Sequence, residues 1–172
     1  MKVAVSSSSD SLSRSRSKKP KRIGIIGVGN SLMGDDGVGI AVLALLKNET
    51  LPENVFIIDI GMSSLNLLHA LTELDAAIIV DAVDFGGSPG EKRCFSPENI
   101  KSIKRSSGQS THEYDLLNMI ELSNKLGECP ETVIIFAIQP ANLFPSMELS
   151  STLKMILPNL VKDILEIIRH VA

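Results

Sequence analysis

From Ile23 onward the chain alternates short, uninterrupted apolar runs with segments whose apolar residues recur every three or four positions, and this alternation narrows the fold to one class. A run apolar on both faces reads as a strand buried in a parallel sheet. The helix-period segment between two such runs is the crossover that parallel pairing requires. The sequence therefore predicts a layered α/β fold, with strands over 23–27, 55–59, 76–81, 91–95 and 132–138. Helices are expected over 36–47, 63–72 and 113–126, with a further one at the C-terminus. In that last segment Leu149, Leu153, Ile156, Leu157, Leu160, Val161, Ile164, Leu165 and Ile168 form one stripe for the sheet, and Pro158 is expected to kink the helix or divide it.

A chain of 172 residues suffices for one domain with a proper core, whereas two domains would each bury too little surface. Residues 1–22, running through SSSSDSLSRSRSKKPKR, are poor in apolar and rich in Ser, Arg and Lys residues. They are expected to be a disordered basic tail ahead of a single domain over 23–172. With 20 acidic against 17 basic residues, many of the latter in the tail, the folded part is acidic, which argues against nucleic acid as a partner. No apolar run reaches the roughly 18 residues of a membrane span. Cys94 and Cys129 form neither a CxxC pair nor a disulfide framework, and no signal peptide precedes them, so the expected setting is the cytoplasm.

Three positions carry possible chemistry. Gly27 to Gly39, GVGNSLMGDDGVG, is a glycine-rich turn between a strand and a helix. A dinucleotide fingerprint would need glycine at Leu32, and a P-loop would need Lys and then Ser or Thr at Asp35 and Asp36, so both phosphate motifs fail. The two carboxylates would also repel phosphate from the positive end of the helix dipole. They are either helix caps or functional groups. Asp81 ends the apolar run Ala76–Val80, where open α/β sheets present groups to a crevice, although a strand-end Asp also serves to cap a turn. His112 stands just before the helical pattern of Leu116, Leu117 and Ile120, while His69, among leucines, and His170, near the terminus, are weaker candidates. If the strand order brings Asp36, Asp81 and His112 together, their oxygen and nitrogen donors suit a divalent ion such as Ni²⁺ or Zn²⁺. Ser88 lacks a nucleophile elbow because Pro89 follows it, and nothing near either cysteine suggests an activated thiolate.

The stretches GVGNSLMGDDGVG, IIVDAVDFGGSPGE, STHEYDL and AIQP together resemble the maturation endopeptidases of [NiFe] hydrogenases, most nearly the type that processes the hydrogenase-3 large subunit. The resemblance spans nearly the whole folded part. It implies a three-layer α/β/α sandwich around a five-stranded, mostly parallel sheet, with 91–95 as the one antiparallel strand. It also implies that Asp36, Asp81 and His112 are the metal-binding and catalytic residues. The implied activity is removal of a C-terminal extension from a large-subunit precursor after nickel insertion, the nickel being the substrate's, by an enzyme expected to be monomeric. Asp35 and Asp84 are candidate supporting or proton-transfer groups. Two departures from the family pattern are Ala137, where glycine is common, and the basic tail. The same trio would also serve a non-enzymatic docking module or chaperone, and Asp36 with Asp81 alone would suit a metal-free pair of carboxylates sharing a proton.

Overall fold

The computed structural model describes residues 21–96 and 111–171, with side chains in the second stretch described from Leu116 onward. The greater part of the expected tail, residues 1–20, thus lies outside the described residues. Lys21 and Arg22 are attached to the domain: the Lys21 carbonyl accepts from Asn54 Nδ2 at 2.6 Å, and the Arg22 backbone N–H donates to Asp75 Oδ2 at 2.7 Å.

Five strands form one sheet in the order β2-β1-β3-β5-β4. They are β1 (Ile23–Val28), β2 (Val55–Gly61), β3 (Ala76–Ala82), β4 (Lys92–Phe95) and β5 (Thr132–Ile138). β1 pairs in parallel with β2 and β3, and β3 with β5, while β4 runs antiparallel to β5. The fold expected from the sequence is therefore the one observed, reversed strand included.

The central strands are apolar on both faces because both faces are covered. Ile25, Ile78, Val80, Phe136 and Ile138 pack on one side with α1 (Val38–Leu46) and α4 (Ser151–Val171). Ile26, Ala77, Ile79, Val133 and Ile135 pack on the other with α2 (Ser64–Thr72) and α3 (Thr111–Leu126). Each fully buried Ile or Val contributes about 1.5–3 kcal/mol, so these two apolar layers carry most of the stability.

Two local expectations are corrected. The helix expected from residue 36 begins at Val38, because Gly34–Gly37 form a separate 3-10 turn. Pro158 does not divide the C-terminal helix, which is one element of 21 residues. Pro158 and Lys154, whose carbonyl the proline leaves without an intrahelical donor, are both exposed, so water can reach that carbonyl and the packed stripe holds the helix together.

Candidate active site

The strand order reverses direction at β1: the chain passes from β1 out to β2 and returns to β3 on the other side. A crevice opens at the carboxyl ends of strands where this happens. A pocket lies there, lined by Val28 and Gly29 from the end of β1, Asp81 and Ala82 from the end of β3, and Asp36 and Asp84. Ile60, Met62, Leu67, Leu116 and Leu143 supply its apolar walls.

Asp81 follows the alternation of β3. It shares the parity of Ala77 and Ile79, so it belongs to the face covered by α2 and α3, and it is 4% exposed. Asp36 reaches the pocket through two close backbone approaches. Gly29 has φ +119, and a Cβ there would lie 1.8 Å from the Asp36 carbonyl oxygen. Gly39 lets the start of α1 settle on the sheet, where a Cβ would come within 2.4 Å of the Val80 carbonyl oxygen. Asp36 Oδ2 then accepts the Asn30 backbone N–H at 2.7 Å. The glycines of the first turn thus bring a carboxylate close to the sheet, a different use from cradling phosphate.

Neither aspartate caps α1. The residue before the helix is Gly37, and no side chain caps that end. Asp35, expected as a supporting or proton-transfer group, is completely buried and directed elsewhere. Its Oδ2 accepts the backbone N–H groups of Ala141 at 2.8 Å and Asn142 at 3.1 Å, and its Oδ1 that of Ser150 at 2.7 Å. Asp35 therefore fastens the strap between β5 and α4 to the first turn. Further bonds join the same two segments, from Gly34 N–H to the Ser146 carbonyl and from Ser146 N–H to that of Leu32.

Asp84 is at the pocket, with its carboxyl held below the usual range first by the Gln139 amide and then by the Gly86 backbone N–H. The backbone of His112 lies in the first turn of α3. It is four residues before Leu116, about one helical turn, and Leu116 lines the pocket. The ring itself is outside the described side chains. His69 and His170 are both exposed, and neither lines the pocket. Burial pushes both cysteine thiols up, so the structure supplies no reason for an activated thiolate.

Among the described residues no three His, Cys, Asp or Glu side chains are grouped to hold a metal. Three carboxylates, those of Asp36, Asp81 and Asp84, line one cleft, and the lining includes no Lys or Arg among the described residues. Hard oxygen donors against apolar walls are of the chemical kind that suits a divalent cation.

Gln139 was not expected to matter at this site. It is 6% exposed and bonded to Asp84 by its side chain. It is polar and directly follows the apolar strand β5, the neighbour of β3, so the reasoning that singled out Asp81 applies to it as well.

An α/β/α sandwich with acidic residues in its switch-point cleft can be compared with known proteins. The family model described as hydrogenase maturation protease matches residues 40–167. HupD, a hydrogenase expression/formation protein of Rhodobacter capsulatus, is 32% identical over 126 residues, covering 73% of this chain and 60% of that protein. The chain thus spans about three fifths of that relative's length. The structure of the hydrogenase maturating endopeptidase HybD from E. coli superposes with a TM-score of 0.80 at 25% identity, covering 88% of this chain and 94% of that one. That of a hydrogenase 3 maturation protease gives 0.66 at 29% identity, covering 83% and 88%. This chain belongs to the hydrogenase maturation protease family. Its similarity extends to more than one type within that family.

Proposed function

We propose that the protein is an endopeptidase that removes a C-terminal extension from a [NiFe] hydrogenase large-subunit precursor, acting once nickel is in place. The observation that carries this reading is that Asp36, from the 3-10 turn after β1, and Asp81, from the end of β3, line one cleft in a chain of this family. Asp36, Asp81 and His112 are the residues that would hold a divalent metal, the precursor's own nickel being the preferred occupant. Such an ion supplies Lewis acidity, which polarises a carbonyl or lowers the pKa of water.

The chain's own residues do the rest. The apolar walls from Ile60, Leu67 and Leu116 exclude water from around the carboxylates and strengthen their hold on a cation. The bond from the Asn30 N–H fixes one oxygen of Asp36, so that carboxylate is oriented before substrate arrives. The precursor is met in the cytoplasm on this reading; among the described residues no helix is long and apolar enough to cross a membrane.

The test is to incubate the protein with nickel-loaded and nickel-free precursor and follow the large-subunit mass. Shortening of the nickel-loaded form only is the expected result. Equal cleavage of both would refute nickel timing, and a stable complex without cleavage would make the protein a docking module.

A further inference from the structure

The loop after Asp81 carries a sequence that the proposed reaction does not by itself explain, Asp84-Phe85-Gly86-Gly87-Ser88-Pro89-Gly90-Glu91. Its conformation is set by one buried side chain. Gln139 Oε1 accepts the backbone N–H groups of Phe85 and Gly87, each at 3.0 Å, and Gln139 Nε2 donates to Asp84 Oδ1 at 3.0 Å. The backbone of the same residue closes the far end of the loop: Gly90 N–H donates to its carbonyl at 2.9 Å, and its own N–H donates to the Glu91 carbonyl at 2.8 Å.

A primary amide offers a donor and an acceptor side by side without charge. A glutamate there would set a carboxylate against Asp84, and an apolar residue would leave Phe85 and Gly87 without their acceptor. The loop is braced from outside too. The Arg93 guanidinium lies 4.1 Å over the Phe85 ring, and Arg93 Nε and Nη2 donate to Glu91 Oε1 at 3.1 and 3.0 Å. Such bracing exceeds what a surface turn needs, and the group it fixes at the pocket is Asp84.

We infer that Gln139 is a positioning residue of the cleft, holding Asp84 where its charge supplements Asp36 and Asp81 in attracting a divalent cation. The inference rests on the metal-binding reading of the cleft given above. Asp84 is itself exposed, so water and salt screen its effect. A unit charge acting across roughly one Debye length, about 8 Å at physiological salt, changes affinity for a divalent ion by roughly two- to five-fold.

The experiment titrates the full chain with Zn²⁺ by calorimetry. Asp84→Asn keeps an oxygen for Gln139 and Gly86 and removes the charge. Gln139→Met keeps the side chain's length and removes its three hydrogen bonds. Each is expected to weaken Zn²⁺ binding by roughly two- to five-fold, and the double variant is expected to bind no more weakly than Asp84→Asn alone, because Gln139 acts through Asp84. A merely structural glutamine would lower stability and leave the affinity of the folded protein unchanged.

Wild-type affinity in Asp84→Asn overturns the inference, and does so even if Gln139→Met fails to fold. Wild-type affinity in folded Gln139→Met, or losses that multiply in the double variant, also overturns it. Asp81→Asn separates the two levels of the argument. If it abolishes Zn²⁺ binding while the other variants bind normally, this inference alone fails. If it binds as tightly as the wild type, the metal-binding reading fails and takes the inference with it.

Discussion

Asp35 and Asp36 are adjacent in sequence, and substituting them should separate stability from function. Asp35→Ala would remove the acceptor of the N–H groups of Ala141, Asn142 and Ser150. Hydrogen bonds to a charged group contribute about 1.5–3 kcal/mol each, so three give at most about 9 kcal/mol. The strap they hold is at the surface, with Phe144 and Met147 largely exposed, and water will reach part of what is uncovered. The expected loss is therefore about 4 kcal/mol. For a chain of this length that lowers the melting temperature by about 8–16 °C. Asp36→Asn keeps an oxygen for the Asn30 N–H and is expected to change stability by less than about 1 kcal/mol. Urea unfolding followed by circular dichroism, comparing midpoints at unchanged slope, measures both. A loss below about 1 kcal/mol for Asp35→Ala, or an equal loss for the two variants, would refute the division of roles.

Two further outcomes follow from single residues. Pro158→Ala restores a donor to the Lys154 carbonyl within α4 and should stabilise the protein by about 1–3 kcal/mol, so a lower melting temperature would contradict the account of that helix. Because the Asp84 carboxyl is held below its ordinary value, its contribution is present above an unfolded pKa of about 3.9 and is lost as pH falls through the lower folded value. Stability between about pH 5 and 2 should accordingly fall less steeply in Asp84→Asn than in the wild type, and urea midpoints at pH 5 and pH 3 compare the two slopes.

The strands were legible because a buried parallel strand is written as an unbroken apolar run. That is why 23–27, 76–81 and 132–138 match the observed β1, β3 and β5 to within a residue. Asp81 could be singled out for the same reason, since a charged residue ending such a run lies where the strand leaves the core, here at the carboxyl end of β3. What the local pattern could not carry was direction. Asp35 and Asp36 are chemically alike and one residue apart, yet the 3-10 turn sends the first into the strap and the second into the cleft. The role of Gln139 was hidden similarly, because its partners lie 52 to 55 residues earlier in the chain. Local rules allow Pro158 either to kink or to divide its helix, and the helix stays one element because tertiary packing of the α4 stripe outweighs one missing bond.

The most direct test of the central claim is mass spectrometry of a nickel-loaded [NiFe] hydrogenase large-subunit precursor after incubation with the wild-type protein, Asp36→Asn or Asp81→Asn. The account predicts that the wild type releases one C-terminal peptide and that each variant, though folded, releases none. Release at the wild-type rate by either variant would contradict the assignment of the cleft as the site of cleavage.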